Sequence, residues 1–230
     1  MKKIAIIPAR GGSKRIPKKN IKNFLGVPII QRTINILNET EFFDDIVVST
    51  DDKRISEISM EAGAKVPFLR PSTLSDDQTP TAPVIKHTLD TLEESGIVYD
   101  YCCCVYPCNP FLTKKDLIDS FSELVSKNEN FCFTVAEYHH PTQRRLRRLK
   151  SGLMQFLEPD HELTLTQSLE VHYHDAGQFY WGTDNAWKSG LKMHSDGVGF
   201  EIPNWRVVDI DTNNDWIRAE NLFKIIEGKE

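Results

Sequence analysis

A glycine-containing loop crowded with cations is the segment of this sequence best equipped for chemistry. It spans residues 8–20 and reads PARGGSKRIPKKN, directly after the apolar run IAII at residues 4–7. Adjacent glycines let a backbone approach a ligand and turn its amides toward it, and arginine and lysine bind phosphate oxygens. The loop lacks the spacing of Walker A and dinucleotide-binding motifs. A solvated charged face is the alternative, but the glycines favour a polyphosphate site. The cations are Arg10, Lys14, Arg15, Lys18 and Lys19, and the glycines are Gly11 and Gly12.

Two alternating aspartates near the C-terminus are suited to binding a divalent cation. Asp209 and Asp211 lie in the segment VVDIDT, residues 207–212, which we expect to be extended. Alternate residues of an extended chain face the same side, and paired carboxylates suit Mg²⁺, which also takes water and substrate phosphates as ligands. Turn or helix-capping aspartates ahead of the last helix are the alternative. A magnesium triphosphate needs cations and carboxylates together, so we expect the loop and the pair to converge.

Two further segments carry side chains suited to recognition. The stretch 173–181 collects titratable and aromatic residues around Gly177, and we interpret it as a substrate-contacting loop that leads into a strand; a plain core strand with a capped turn is the alternative. His172 and His174 alternate like a metal-binding pair, but no third soft ligand lies near them in sequence. Arg70 precedes a proline, which favours extended backbone, and its guanidinium could reach a base carbonyl, a phosphate or a surface carboxylate.

Composition narrows the class of protein. A chain of 230 residues that is 40% hydrophobic suits a single domain, 1–230, with a core of ordinary size. No apolar run approaches the roughly 20 residues of a membrane span, and the short run after Met1 ends at Pro8, unlike a signal peptide. A net charge of −5 argues against general nucleic-acid binding. We therefore expect a cytoplasmic protein with neither a membrane nor a nucleic-acid partner.

The cysteines point to a reducing compartment. There are five, three of them consecutive, and none forms a C-x-x-C pair. We interpret them as small buried residues, and a catalytic thiol at Cys108 is the alternative. The cysteines are Cys102, Cys103, Cys104, Cys108 and Cys132.

The sequence predicts alternating strands and helices. Continuous apolar runs predict strands, and apolar residues at helical spacing predict helices. This alternation is typical of a three-layer α/β/α fold with a mostly parallel, mixed central sheet. Residues 137–169 lack a clear period and predict a projecting arm or hairpin. The predicted strands are 4–7, 46–49, 102–106, 131–136, 178–182 and 206–210. One predicted helix begins at Pro28, and the others cover 53–62, 82–95, a stretch around 117–125, and 215–226.

Taken together, these motifs resemble those of the CMP-sialate cytidylyltransferases. The segment Ala9–Asn20 is similar to the family's signature, and Ser49-Thr50-Asp51, Leu69-Arg70-Pro71 and Asp209-Ile210-Asp211-Thr212 follow in the family's order across nearly the whole chain. Within the family, residues 173–177 resemble the branch that acts on pseudaminic acid.

The chain departs from the sialic-acid branch at two places. Residues 174–177 read HDAG where N-acetylneuraminate enzymes resemble Arg-Pro-Asn-Gly. Residues 106–112 read YPCNPFL where that branch has Gln-Pro-Thr-Ser-Pro-Leu-Arg. Both departures argue against N-acetylneuraminate itself as the substrate and leave the nucleotide half unaffected.

The resemblance implies a nucleotide-diphospho-sugar transferase-like fold, a homodimer joined through the arm, and a need for CTP and Mg²⁺. The implied reaction transfers CMP from CTP to the anomeric hydroxyl of a nonulosonic acid, a nine-carbon acidic sugar, and releases pyrophosphate for surface glycan biosynthesis. The implied nucleotide-binding residues are Ala9, Arg10, Gly11, Gly12, Ser13, Lys14, Lys19, Asn20 and Arg70; the catalytic residues are Arg10, Lys14, Asp209 and Asp211, the two aspartates being the metal ligands; the sugar-binding residues are Tyr106, His174, Asp175 and Gln178.

Other functions stay open at this point. One is the same transfer to N-acetylneuraminate, legionaminate or 3-deoxy-manno-octulosonate. A second is a nucleotide-binding regulator without catalysis. A third is a phosphatase with Asp51 or Asp209 as nucleophile, but such enzymes carry D-x-D after the first strand, where this chain has Pro-Ala-Arg.

Overall fold

A six-stranded mixed sheet forms the centre of the fold. The computed structural model describes residues 1–228. In that part of the chain the strands are β1 (Lys3–Pro8), β2 (Asn23–Phe24), β3 (Val27–Pro28), β4 (Asp45–Ser49), β5 (Tyr101–Val105), β6 (Phe131–Glu137), β7 (Leu146–Arg148), β8 (Met154–Phe156), β9 (Tyr173–Thr183) and β10 (Gly197–Glu201). The helices are α1 (Ile29–Thr40), α2 (Lys53–Glu61), α3 (Thr81–Glu94), α4 (Lys114–Lys127), α5 (Asp184–Ser189) and α6 (Asn213–Ile226).

The strand directions confirm the predicted mixed sheet. The order across the sheet is β10-β6-β9-β5-β1-β4. Strand β9 runs antiparallel to β5 and β6, and the other neighbours are parallel. The amino-terminal end of β9 therefore lies at the same edge of the sheet as the carboxyl-terminal ends of β1 and β5.

Helices cover both faces of the sheet, as the alternation predicts. Helices α1, α2 and α4 pack their apolar residues on one face, and α3 and α5 pack on the other. The consecutive cysteines alternate between these faces, with Cys103 toward the first and Cys102 and Cys104 toward the second. All five cysteines are free thiols, and burial raises the pKa of the three consecutive ones. Four are buried, as predicted, and Cys108 is partly exposed.

A third apolar cluster connects the cationic loop to the acidic segment. It contains Ile16 from the loop, Ile210 from between the two aspartates, and Trp216 from α6. Phe24 lies at the centre, with its ring centroid 5.6 Å from those of Trp216 and Phe223. Because Ile16 and Ile210 are both about 2% exposed in one cluster, their polar neighbours are held close together.

The predicted strand at 206–210 is wrong. Pro203 is followed by a 3-10 turn, Asn204–Arg206, and residues 207–211 have no strand partner. The sheet edge beside β6 is taken instead by β10, which the sequence analysis did not predict. The acidic pair therefore lies on a segment outside the sheet, between that turn and α6.

Residues 138–169 lie outside the central sheet and contain one hairpin, β7–β8, with 3-10 turns before and after it. Strands β7 and β8 pair only with each other, and most side chains of the region are exposed. The hairpin agrees with the predicted form of the region, and its role in dimerisation stays a prediction.

Candidate active site

One cleft collects residues from the cationic loop, the acidic pair, the 173–181 segment and Arg70. It has a volume of about 660 Å³ and is lined by residues at the carboxyl ends of β1 and β5, Pro8 and Tyr106, where ligands bind in open α/β sheets. Ala9, Gly11 and Gly12 do not line it. The predicted site residues that do are Arg10, Ser13, Lys14, Lys19, Asn20, Arg70, Tyr106, His174, Asp175, Gln178, Asp209 and Asp211.

The backbone of the cationic loop is fixed by the neighbouring strand end. The Gly11 N–H donates to the Asp51 carboxylate at 2.9 Å. A Cβ added at Gly11 would lie 2.7 Å from Asp52 Oδ2, and Asp52 itself caps α2 by accepting from two backbone N–H groups. At Gly12 a Cβ would meet nothing within 4 Å. Gly11 is therefore required by close packing against the cap of α2, and Gly12 is not.

Asn20 braces the loop from inside. Its side chain is buried, and its Nδ2 donates to the Arg10 carbonyl at 2.9 Å. Its Oδ1 accepts from the Cys108 thiol, with Sγ at 3.3 Å. Burial raises the pKa of Cys108 to about 12, so this thiol is a neutral donor at pH 7 and a poor nucleophile.

The loop's cations are already paired with carboxylates. Arg10 Nη2 lies 2.8 Å from Asp77 Oδ1, and Lys14 contacts the same carboxylate. Hydrogen bonding and charge from Lys14, with Arg10, lower the pKa of Asp77. Arg15 Nη1 lies 2.7 Å from Asp211 Oδ2. The predicted convergence of loop and acidic pair is thus a direct ion pair between Arg15 and Asp211.

The two aspartates of the acidic pair differ in their surroundings. Asp211 contacts both Arg15 and Lys19 Nζ, the latter at 3.5 Å. Asp209 has no hydrogen bond or ion pair among residues 1–228, and desolvation together with the Asp211 charge raises the pKa of Asp209. Neither aspartate caps α6, because Thr212 and Asp215 form its capping box. This arrangement excludes the capping interpretation of the pair.

Arg70 is the least satisfied cation of the cleft. Its side chain is 4% exposed, and the nearest carboxylate, Asp51, lies 4.0 Å from its Nη2. Nε and Nη2 are buried without a hydrogen-bond partner. Burial lowers the pKa of Arg70. Buried polar groups are almost always hydrogen-bonded, so a guanidinium left free on a cleft wall is suited to a ligand oxygen.

The family of the chain is established by comparison. A family model described as cytidylyltransferase matches residues 4–178. This chain belongs to the cytidylyltransferase family. It is 38% identical over 228 residues to a pseudaminic acid cytidylyltransferase of Campylobacter jejuni subsp. jejuni serotype O:2, covering 98% of this chain and 97% of that protein. It is 35% identical to a CMP-N,N'-diacetyllegionaminic acid synthase of Legionella pneumophila, with the same two coverages.

Solved structures support the fold of this cytidylyltransferase. A CMP:2-keto-3-deoxy-manno-octonic acid synthetase complexed with CTP matches with a TM-score of 0.72 at 13% identity, covering 98% of this chain and all of that one. A 4-diphosphocytidyl-2C-methyl-D-erythritol synthase of Anaerococcus prevotii matches with a TM-score of 0.66, also at 13% identity. At such identities the likeness supports the nucleotidyltransferase-like fold alone.

Two general features of this cytidylyltransferase bear on its site. No helix within residues 1–228 is long and apolar enough to cross a bilayer. In the same described range, no three His, Cys, Asp or Glu side chains group together as a metal site. A cation at the acidic pair would therefore need ligands from water or a substrate as well as from Asp209 and Asp211.

The far half of the cleft is lined by aromatic and hydrogen-bonded side chains. The Tyr106 hydroxyl lies 2.9 Å from Thr81 Oγ1, and burial raises the pKa of Tyr106. The Asp175 carboxylate accepts from Tyr180 OH at 2.9 Å and lies 2.8 Å from His194 Nε2. Asp175 is therefore engaged by protein partners, although it borders the cleft.

Several cleft residues escaped the sequence analysis. Asp77 and Asn109 both line the cleft, and neither belongs to a motif selected from the sequence. His194 does not line the cleft but contacts Asp175 from a loop between α5 and β10, and no local sequence pattern marks it. The one local signal was the Asp76-Asp77 pair close to Thr79 and Thr81, a polar cluster whose partner loop lies more than sixty residues earlier.

Proposed function

We propose that this cytidylyltransferase transfers CMP from CTP to the anomeric hydroxyl of a nonulosonic acid, pseudaminic acid being the leading candidate, and releases pyrophosphate for surface glycan biosynthesis. The named relatives in Campylobacter and Legionella support this class of acceptor. The observation that carries the proposal is the Arg15–Asp211 contact of 2.7 Å, since it brings the cationic loop and the acidic pair to one cleft.

The nucleotide would occupy the half of the cleft next to β1. Arg10, Lys14 and Lys19 would neutralise phosphate charge, and the Arg70 guanidinium, whose Nε and Nη2 have no hydrogen-bond partner, would bind an oxygen of the cytosine or of the phosphates. Asn20, Ser13 and the backbone of residues 9–12 would hold the loop in place. Phosphoryl transfer depends mostly on such positioning and charge stabilisation.

Asp209 and Asp211 fit a magnesium ion that arrives with CTP. Each supplies carboxylate oxygens at the cleft; burial and then the Asp211 charge raise the pKa of Asp209, and a cation between the two carboxylates would relieve their repulsion. Bound Mg²⁺ supplies charge neutralisation and polarises the phosphate under attack. The pairing of Asp211 with Arg15 and Lys19 keeps that carboxylate near the loop when no nucleotide is bound.

The sugar would occupy the far half of the cleft, against Tyr106, His174, Asp175 and Gln178. In the transfer, the anomeric oxygen bonds to the α-phosphorus of CTP as the bond between that phosphorus and the oxygen bridging to the β-phosphate breaks. Pyrophosphate carries away the electron pair of that bond, and the proton of the anomeric hydroxyl passes to the pyrophosphate or to water. The protein's part is to align the hydroxyl with the breaking bond and to exclude competing water.

The deciding experiment measures pyrophosphate release from CTP with a panel of nonulosonic acids. We expect release with pseudaminic acid, slower release with legionaminate and N-acetylneuraminate, and the slowest with 3-deoxy-manno-octulosonate. Binding of CTP without release for any acid would favour a nucleotide-binding regulator. A covalent aspartyl-phosphate formed without CTP would favour a phosphatase.

We propose further that the enzyme is a cytoplasmic homodimer joined through the predicted arm within about residues 137–169, which contains the β7–β8 hairpin. The free, buried thiols suit a reducing compartment. The hairpin region exposes a row of large apolar side chains, which is uncommon on a monomer surface. Sedimentation of the purified protein at several concentrations, with and without this row replaced by serine, tests the dimer. The exposed apolar residues are Leu146, Leu149, Leu153, Met154, Leu157, Leu163 and Leu165.

A further inference from the structure

Two buried side-chain amides on the cleft wall lack partners for part of their hydrogen-bonding capacity. Gln178 is 3% exposed and its Oε1 has no hydrogen-bond partner; Asn109 is 6% exposed and its Nδ2 has none. Both residues line the cleft. A folded protein seldom leaves buried polar atoms unsatisfied, and two of them on one binding cleft indicate that a ligand satisfies them.

The orientation of the Gln178 amide is fixed, so its free atom is an acceptor. Its Nε2 donates to the Arg206 carbonyl at 3.1 Å, and a carbonyl cannot pair with the amide oxygen. Arg206 is itself held by a two-pronged ion pair with Asp116, both side chains being largely buried. The free Oε1 therefore requires an N–H or O–H donor from the ligand and would repel a carboxylate.

An irregularity in the sheet places Gln178 at the cleft. Between Phe133 and Val135 of β6 the register with β9 shifts, so the segment from Ala176 to Phe179 lies opposite a single residue, Thr134. Gly177 has a φ of +64°, and the Gln178 N–H donates to Thr134 Oγ1 at 3.3 Å. Bulges near active sites redirect side chains, and Gln178, which lines the cleft, lies within this one.

The other polar groups at this end of the cleft are already engaged. The Asp175 oxygens accept from Tyr180 and from the Gly177 N–H at 2.8 Å, and one lies 2.8 Å from His194. His174 Nδ1 lies 2.9 Å from the Asp175 carbonyl. These hydrogen bonds stabilise the cleft wall, whereas Gln178 Oε1 and Asn109 Nδ2 remain free to form a hydrogen bond with a substrate.

We infer that Gln178 and Asn109 form the polar recognition pair for the acidic sugar, with Gln178 accepting from an acylamido N–H and Asn109 donating to a sugar oxygen. This inference rests on the proposed function. It identifies the substrate class as acids whose ring carries acylamido groups, and it makes Asp175 a positioning residue. A site built to pair a substrate N–H discriminates strongly against analogues that lack it, because its own polar atom is then left buried and unpaired.

The test uses Asn109→Leu and Gln178→Met, which keep approximate size and remove polar atoms. With pseudaminic acid we expect each variant to lose about tenfold or more in kcat/KM for the sugar, while KM for CTP changes less than about twofold. Gln178→Met should also lower the ratio of kcat/KM for pseudaminic acid to kcat/KM for 3-deoxy-manno-octulosonate, because the latter acid carries hydroxyls and no acylamido group. Asn109→Leu should keep or raise the melting temperature, because it removes an unpaired buried amide without breaking a bond.

The matched control is Gln143→Met. Gln143 is also a buried amide with a free Oε1 and an Nε2 that donates to a backbone carbonyl, that of Glu170 at 2.9 Å, but it does not line the cleft. It should lower the melting temperature about as much as Gln178→Met and leave both KM values unchanged.

Each remaining result decides against one of the two proposals. If the unmodified enzyme releases no pyrophosphate with any nonulosonic acid, the proposed function fails. If it does release pyrophosphate but both cleft variants keep the kcat/KM for the sugar, or lose CTP affinity instead, the amide pair is overturned and the function stands. A fall in melting temperature for Asn109→Leu with unchanged sugar kinetics would assign Asn109 a purely structural role.

Discussion

The guanidinium of Arg10 lies 2.8 Å from the carboxylate of Asp77, so a cation suited to phosphate already holds a protein anion. The same carboxylate contacts Lys14. Asp76 shapes the turn that presents it, by accepting from the N–H groups of Gln78 and Thr79. A triphosphate would therefore compete with Asp77 for both cations.

The first prediction follows from this competition. Asp77→Ala should lower KM for CTP by about two- to fivefold, the range expected for freeing cations from exposed ion pairs. Asp90→Ala, which removes an exposed carboxylate paired with Lys86 on α3, should leave KM for CTP unchanged. A higher KM for CTP in Asp77→Ala would mean that Asp77 positions the loop for the nucleotide instead of competing with it.

The second prediction concerns the acidic pair. Asp209→Ala should reduce kcat by about a hundredfold or more at saturating Mg²⁺, because the charge stabilisation that a metal provides is felt most in the transition state. Affinity for CTP, measured by calorimetry, should change far less. Asp119→Ala, an exposed carboxylate paired with Lys115, serves as control. Near-normal turnover in Asp209→Ala would contradict the metal assignment.

The third prediction separates affinity from stability at Arg70. Arg70→Met should raise KM for CTP by about tenfold or more, because a charge-assisted bond to the nucleotide is lost. The same variant should melt about 2–4 °C higher, the shift expected from about 1 kcal/mol in a chain of this size, since it removes a buried charge whose Nε and Nη2 lack hydrogen bonds and whose nearest carboxylate is 4.0 Å away. A lower melting temperature with unchanged KM would make Arg70 a structural residue.

The fourth prediction is a pH dependence of stability. The pKa of Asp209 is raised in the folded state, so the folded protein binds that proton more tightly than the unfolded chain does. Stability is therefore lost as pH rises from about 3.9 through the raised pKa, and the loss is complete above it. Without metal, Asp209→Asn should unfold at higher urea concentration than the unmodified protein at pH 7, and the difference should shrink as pH falls.

Asp77→Asn provides the contrast to Asp209→Asn. The pKa of Asp77 is lowered in the folded state by Lys14 and Arg10, so its ionised form stabilises the fold at neutral pH and the benefit is lost as pH falls below about 3.9. This variant should be slightly less stable at pH 7. Identical shifts for the two variants would contradict the opposite electrostatic surroundings described above.

The fifth prediction distinguishes the two loop glycines. Gly11→Ala would place a methyl group 2.7 Å from Asp52 Oδ2 and disturb the cap of α2, which should cost about 0.5–2 kcal/mol and weaken CTP binding. Gly12→Ala meets open space and should alter neither unfolding nor KM for CTP by more than a small amount. Equal effects at the two positions would show that both glycines serve the ligand.

Much of the fold could be predicted because the hydrophobic pattern of each segment matches its burial in the folded protein. A continuous apolar run such as Ile4–Ile7 can be buried on both faces only as an inner strand, and it is one, with each residue 0% exposed. The cationic loop could be predicted for a related reason, since the end of such a strand is where a ligand site forms. The acidic pair could be selected by its alternation, although its segment is not a strand.

Features that depend on distant pairing could not be predicted. Strand β10 reads GVGFE, too short and too rich in glycine to stand out, and it is placed by its contact with β6, where a Cβ at Gly199 would lie 3.0 Å from Val135. The Arg10–Asp77 pair joins residues 67 positions apart. No sequence pattern around either residue indicates this contact. Asn109 can be recognised only from the structure, which shows that its Nδ2 is buried and has no hydrogen-bond partner.

Because β9 runs antiparallel to β5 and β6, its first residues lie at the same edge of the central sheet as the loop after β1. The loop after β1, where we propose most of the nucleotide contacts, leaves a parallel strand, whereas residues 174–178 belong to a strand that runs in the opposite direction. These two segments border one cleft although they lie far apart in the sequence. Acceptor preference could diversify through changes at the start of β9 while the turn after β1 remained untouched, which would let one scaffold serve many acidic sugars.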